Sequence, residues 1–325
     1  MKNWLLRVEE LTKHFPVKGR FFGRPPRFVH AVDDVTFHMR VGDTLGLVGE
    51  SGCGKTTVGR LIARLEEPDR GKIIFDSKET LHLSGPELKL YRREVQMVFQ
   101  DPFESLNPRR RVKSILSQPY LSYRIARGSE VEARVIELLN IVGLRPGEMY
   151  LYRYPHEFSG GQRQRIGIAR AISLRPRLVI ADEPVSSLDI SIRAQILNLL
   201  KELQETIGLS YIFISHDLSV VRSLCNLVAV MYLGKLVEMG PAEELFSEPL
   251  HPYTQALISA TPIPDPSKAR SKKRVIMKGD VPSAVGPPTG CRFRTRCPYQ
   301  LPICAEEEPP LEEQLPGHSV ACHRA

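Results

Sequence analysis

Gly49, Ser51, Gly52, Gly54, Lys55, Thr56 and Thr57 belong to a stretch that fits the spacing G-x-x-x-x-G-K-[ST]. Glycines at this spacing allow a tight loop whose backbone N–H groups turn inward onto phosphate oxygens. Lys55 supplies a point charge for the terminal phosphates, and the Thr56 hydroxyl suits a Mg²⁺ ion. A helix pattern follows, with Val58, Leu61, Ile62 and Leu65 on one face, and its start adds the positive end of a helix dipole. A second apolar run, Leu178 to Ala181, ends in two adjacent carboxylates, Asp182 and Glu183. Beside a phosphate loop, Asp182 can hold Mg²⁺ while Glu183 takes the proton of an attacking water. These groups together point to hydrolysis of a nucleoside triphosphate. Ser159, Gly160, Gly161 and Gln162 open a third pattern, which continues through Ile166, Ala169, Arg170 and Ile172. Small residues at a helix start make another anion site; taken alone, the stretch also reads as a glycine-rich helix start without a ligand.

The elements that must position these groups alternate between short apolar runs and helical patterns, which predicts an α/β fold with a mainly parallel sheet. The runs 44–48, 178–181, 211–214 and 227–231 read as buried strands. Asp189 reads as the N-cap of a helix carrying Ile192, Ile196, Leu199, Leu200 and Leu203, which Gly208 ends. Residues from about 102 to 165 hold helical patterns, such as Val131 to Val142, and no convincing strand, so they read as an inserted helical subdomain. After Thr261, Pro262, Pro264 and Pro266 precede a basic run of Lys268, Arg270, Lys272, Lys273, Arg274 and Lys278. The expected organisation is a nucleotide-binding domain over 1–260 and a linker with a small Cys-rich extension over 261–325.

The order of the phosphate loop, Phe158 to Gln162, Asp182-Glu183, Ser187-Leu188-Asp189 and His216 resembles the nucleotide-binding domain of ABC ATPases. That resemblance, over about residues 4–260, implies a P-loop NTPase (RecA-like) core. It also implies that two such domains sandwich two ATP molecules, the Ser159–Gln162 signature of one capping the γ-phosphate held by the other. It implies a role for Gln100 at Mg²⁺ and the attacking water, for His216 at the γ-phosphate, and for Asp189 at the dimer interface. Phe15 best matches the aromatic that stacks on adenine, with Phe28 as the alternative because 16–28 reads as an insertion. Asp101 to Pro108 and the Cys-rich tail resemble the ATPase subunits of dipeptide and oligopeptide importers, whose relatives handle nickel or glutathione. The intact Ser159 to Arg165 run looks like the F-type of their two ATPases. The resemblance implies a D-type sister ATPase, two membrane permeases and an extracytoplasmic solute-binding protein as partners, and it leaves the imported solute open.

Cys291, Cys297, Cys304 and Cys322 crowd a proline-rich segment too small to fold around its own core. Four thiols suit a [4Fe–4S] cluster, and the spacing resembles the cluster-binding tail of peptide-importer ATPases. Zinc and reduced thiols are the alternatives; the tight C-x₂₋₄-C pair usual in structural zinc sites is missing. Arg292, Arg294 and Arg296 are expected to offset the charge of such a cluster, and His318 or His323 could replace one ligand. Cys297→Ser is expected to loosen the residues after about 280 while the nucleotide site keeps its affinity, since its ligands lie in the other domain. Cys53 falls in the phosphate loop and Cys225 in the core, and neither is expected to bind metal.

The chain has 325 residues, 42% hydrophobic and 25% charged, and a formal net charge of +8. That composition fits a globular protein. No apolar run approaches the roughly 18 residues of a membrane span, and the first ten residues lack a signal peptide's apolar core. The expected location is the peripheral, cytoplasmic face of a membrane. No nucleic-acid motif accompanies the basic charge, so no nucleic acid is expected as a partner. The competing class, a soluble ABC ATPase of DNA repair or translation, typically carries a long coiled coil or two ATPase domains, and neither is visible.

Overall fold

The computed structural model describes residues 4–17, 27–101, 105–261, 275, 277 and 279–325. Most of the insertion at 16–28, the prolines at 262, 264 and 266, and the basic run at 268–274 and 278 lie outside the described residues. Along the described residues the strands are β1 (Trp4–Pro16), β2 (Phe28–Arg40), β3 (Thr44–Val48), β4 (Arg70–Phe75), β5 (Lys78–Glu79), β6 (Val95–Val98), β7 (Leu178–Asp182), β8 (Ser210–Ser215), β9 (Leu227–Tyr232), β10 (Lys235–Pro241), β11 (Glu312–Leu315) and β12 (His318–Val320). The chain forms two compact units. One joins the segments up to His82 with those from Phe213 onward, and the other runs from Leu83 to Ile212.

In the first unit, β2, β1, β4 and β5 make an antiparallel sheet in that order. Its strands read by alternation: Val35, Phe37 and Met39 of β2 are buried, while Thr36, His38 and Arg40 between them are exposed. One face is therefore packed and the other wet, the habit of antiparallel sheets. Another sheet runs β11-β12-β10-β9-β3, with β3 and β9 parallel and the remaining neighbours antiparallel. The architecture is thus mixed where the sequence predicted a mainly parallel sheet. The antiparallel strands carry a weak sequence signal because β1 is broken by register shifts at several points, so its alternation never runs cleanly.

In the second unit, β6 and β7 pair in parallel, with Met97 opposite Ile180. Five helices accompany them among the described residues: Gly85–Glu94, Val112–Ser122, Ser129–Ile141, Gly160–Ile172 and Ile190–Ile207. Helix Ser129–Ile141 buries Val131, Val135, Leu138 and Leu139, a single stripe at helical spacing. Helix Ile190–Ile207 buries Ile196, Leu199, Leu200 and Leu203, and it ends at Gly208 in the left-handed region. Asp189 stands at its N-cap position but makes no side-chain capping bond. The division between the units falls within β8, every residue of which is buried.

Candidate nucleotide site

All five residues of β3 are buried, and the chain leaves the strand directly into the glycine-rich loop. Gly49 (φ +148°) and Gly54 (φ +107°) are fixed by close approach as well as by backbone angle. A Cβ at Gly49 would lie 2.2 Å from the Met231 carbonyl oxygen, and one at Gly54 would lie 2.0 Å from that of Ala31. Lys55 is buried, and its Nζ donates to the carbonyls of Gly49 (2.8 Å) and Glu50 (2.9 Å). Helix Lys55–Ile62 follows, with Thr56 and Thr57 half-buried in its first turn. Leu65, expected on its apolar face, lies beyond the helix end and is exposed.

His216 stands just past β8 and is exposed. The turn beneath it is held by two bonds: Ser215 Oγ accepts from Asp217 N–H at 3.0 Å, and Asp217 Oδ1 accepts from Ser219 N–H at 3.0 Å. Phe15 lies in β1, half-buried, with Lys13 Nζ 5.4 Å from its ring centre. Phe28, opposite Pro16 in the register, is exposed.

In the second unit, β7 delivers Asp182, which is buried, and Glu183, which is half-buried. Glu183 has φ +44°, an uncommon angle for a residue with a side chain, and such strain gathers at functional sites. Ser186 secures it by donating from both N–H (3.2 Å) and Oγ (3.1 Å) to the Glu183 carbonyl. Gln100 Nε2 donates to Glu183 Oε2 at 3.0 Å, so two residues that the sequence assigns to water activation meet directly. At the start of helix Gly160–Ile172, Ser159 Oγ accepts from Gln162 N–H (3.3 Å), while Gln162 Oε1 accepts from Ser159 N–H (3.0 Å). This capping box fixes the conformation of the signature. Gly161 is buried where a Cβ would stand 2.4 Å from Ile192 Cγ2. Asp189 is exposed, and the neighbouring Ile190 is 84% exposed, an unusual setting for a large apolar side chain.

The tail containing the four cysteines packs within the first unit. Cys291 N–H donates to the Cys304 carbonyl at 2.9 Å, and Arg294 N–H donates back to the Cys291 carbonyl at 3.1 Å. The four thiols converge. Burial first, and then the neighbouring Cys304, Cys322 and Cys297, push the Cys291 thiol up to about 11. The Cys297 thiol is raised by burial and then by Cys322 and Cys304. Among the described residues, only His14, His30 and Asp33 bring three potential ligand atoms within 4.8 Å of one another; no three of the thiol sulfurs do.

The arginines of the tail direct hydrogen bonds to groups other than the thiols. Arg292 pairs with Asp33 and donates to the Leu233 carbonyl, Arg294 donates to the Thr289 carbonyl, and Arg296 forms a two-pronged bond with Glu50. Burial alone would raise Asp33, but bonds from Arg292 and His30 bring it down to about 2. Its carboxylate is therefore paired with Arg292, and that pair anchors the tail to β2. The cation that acts on Cys297 is Arg324. His318 and His323 each use Nε2 in a hydrogen bond, and His318 Nδ1 is buried without a hydrogen-bond partner. His318 Nε2 donates to buried Glu238 at 2.8 Å, and His323 Nε2 donates to the Glu307 carbonyl at 3.0 Å. Glu238 also accepts from the N–H groups of Leu250 and His251.

Two family models match this chain: "ABC transporter" over residues 32–186, and "Oligopeptide/dipeptide transporter, C-terminal region" over residues 237–304. The oligopeptide transport ATP-binding protein AppF of Bacillus subtilis (strain 168) is 51% identical, with 98% of this chain aligned to 97% of that one. The chain belongs to the ABC transporter family. The oligopeptide transport ATP-binding protein OppF of Escherichia coli (strain K12) is 49% identical over 98% of this chain and 95% of its own length. Among solved structures, the ATP-binding cassette MJ0796, in a post-hydrolysis dimer bound to ADP and Pi, matches with a TM-score of 0.64 and 28% identity, over 73% of this chain and 98% of that one. The protein has the ABC ATPase fold and is an ABC-type ATPase. No helix among its described residues is long and apolar enough to cross a membrane.

Family motifs give this ABC protein's loop, signature and carboxylates by position. They give nothing about Glu50, Tyr232, Tyr253, Phe293 and Arg296, which meet around the back of the loop. Phe293 is fully buried with its ring centre 5.2 Å from that of Tyr232 and 5.4 Å from that of Tyr253. Tyr253 Oη in turn accepts from Glu50 N–H at 2.8 Å. The only sequence signal was an aromatic flanked by arginines between two cysteines, a pattern too short to name its partners.

Proposed function

We propose that this chain is the ATP-hydrolysing subunit of a membrane importer of di- or oligopeptides, held on the cytoplasmic face of the membrane. The observation that carries the reading is the presence, in one chain, of an ABC transporter match and an oligopeptide/dipeptide transporter C-terminal match. In this reading the loop N–H groups and Lys55 bind the phosphates. Thr56, Gln100 and Asp182 hold Mg²⁺, Glu183 is the general base, His216 contacts the γ-phosphate, and Phe15 stacks on adenine. Ser159 to Gln162 and Asp189 meet a second ATPase, an F-type chain such as this one pairing with a D-type sister. Exposed Ile190 beside Asp189 favours a partner surface there. Two permeases and an extracytoplasmic solute-binding protein complete the assembly. Residues 1–260 act as the ATPase domain, with a helical subdomain at about 102–165, and residues 261–325 as its extension. The test is purification of the full chain from its native membrane, with uptake of labelled peptides measured in cells with and without it. Co-purified permeases and lost uptake support the importer; co-purified ribosomes or DNA with unchanged uptake overturn it.

The four thiols fit an iron–sulfur cluster better than zinc. Four thiolates suit a [4Fe–4S] centre, and the tight C-x₂₋₄-C pair usual in structural zinc sites is absent from the spacing of Cys291, Cys297, Cys304 and Cys322. When bound, a [4Fe–4S] cluster would supply four iron–thiolate bonds that order the tail. Protein purified without oxygen is expected to carry about four iron and four sulfide per chain, and Cys297→Ser to lose both. One zinc per chain, with no iron, would move the assignment to zinc.

A further inference from the structure

Glu50 is an oddity in a loop built for phosphates, since its carboxylate carries the same sign as the ligand. Its backbone is part of the cradle: the Glu50 carbonyl accepts from Lys55 Nζ at 2.9 Å and from Cys53 N–H at 3.3 Å. The carboxylate points the other way, into the fork of Arg296, with Nη1 to Oε2 at 2.7 Å and Nη2 to Oε1 at 3.1 Å. Arg296 is 8% exposed and Glu50 25%, so water screens the pair only in part. The guanidinium lies 5.9 Å from the Tyr232 ring centre, and Arg296 N–H donates to the Phe293 carbonyl at 3.0 Å. Phe293 is itself fully buried. Arg296 is therefore a rigidly seated cation, delivered to the loop from almost 250 residues away in sequence.

We propose that Arg296 is a positioning residue of the nucleotide site, which neutralises Glu50 and fixes its carboxylate away from the loop so that the loop can accept a polyanionic triphosphate. A bidentate arginine–carboxylate pair sets both charge and direction. Without it, Glu50 keeps its negative charge and gains rotamers that bring that charge toward the bound phosphates. The proposal goes beyond the transport reading and does not depend on what the thiols hold. It reverses the expectation that loosening the tail leaves the affinity of the nucleotide site unchanged.

The test is nucleotide binding by the full chain, measured by displacement of a fluorescent ATP analogue. Arg296→Met is expected to weaken ATP about tenfold, within the usual span of coupling between sites. ADP should weaken less and adenosine hardly at all, because the penalty follows ligand charge. The loss should narrow at high salt, which screens charge. Adding Glu50→Gln should restore most of the ATP affinity, because no charge then needs neutralising. That rescue separates positioning from a merely structural role, which a second substitution would only worsen. Native ATP affinity in folded Arg296→Met, or a double variant as weak as the single, overturns the proposal. Should the Met variant not fold, Arg296→Lys keeps the charge and loses the fork. An equal loss for ATP and adenosine in Arg296→Lys overturns the proposal equally, and a loss confined to the charged nucleotides supports it.

Discussion

Glu183→Gln is expected to slow ATP hydrolysis by about 10²–10⁴-fold, the usual contribution of a general base, while ATP binding persists. The amide keeps the size and the polar contacts of the carboxylate but cannot take a proton. The contact from Gln100 Nε2 to Glu183 Oε2 survives if the new amide turns its oxygen toward Gln100. The strained backbone at φ +44° is retained too, since Gln makes the same demands there as Glu. The variant therefore isolates proton abstraction from geometry. Single-turnover hydrolysis in the assembled transporter, with nucleotide binding measured in parallel, gives the answer. Hydrolysis at the native rate would remove Glu183 from the role of base.

Gly54→Ala is expected to weaken nucleotide binding by about 100-fold with the fold otherwise kept. The added Cβ would lie 2.0 Å from the Ala31 carbonyl oxygen, a backbone atom that cannot rotate aside, at a φ of +107° that a side chain resists. Backbone strain of this sort costs about 1–3 kcal/mol, and each tenfold in affinity is about 1.4 kcal/mol. The loop can relieve the clash only by moving its N–H groups off the phosphates. Gly52→Ala is the internal comparison: its φ of +80° brings similar strain, but its Cβ would meet nothing within 4 Å. A smaller loss is expected there. Equal losses in the two variants, with native circular dichroism, would show that steric contact at Gly54 contributes nothing.

The strand before the loop, the Asp182-bearing strand and the helix ended by Gly208 were legible because each carries a local signal. Those signals are a continuous apolar run, a helical stripe and a left-handed glycine. The long strand β1 was not, because register shifts interrupt the alternation on which its recognition depends, and β2 alternates strictly only over residues 35–40. At the site, Lys55, Glu183 and Gln100 could be named from motif and order, but the bond between Gln100 and Glu183 joins residues 83 positions apart and leaves no local trace. The same holds for Glu50 and Arg296, 246 positions apart. The charge of Arg296 pointed toward the nearest chemistry in sequence, the cysteines. The fold gave it a nearer partner in space.

The first unit is built from two segments, one on each side of the second unit in sequence. Strand β10 pairs with β12, so His318 to Val320 close a sheet to which residues 44–48 also belong, and Arg292 grips Asp33 on β2. The segment from Leu83 to Ile212 has all of its residues available before these last ones are made. Synthesis therefore imposes an order. The middle of the chain can collapse on the ribosome, while the phosphate loop waits for residues 292–320 to leave the exit tunnel. Such long-range closure is slow and leaves apolar surface exposed meanwhile. A nascent chain halted near residue 280 should thus be held by chaperones, with its second unit folded and its first still open.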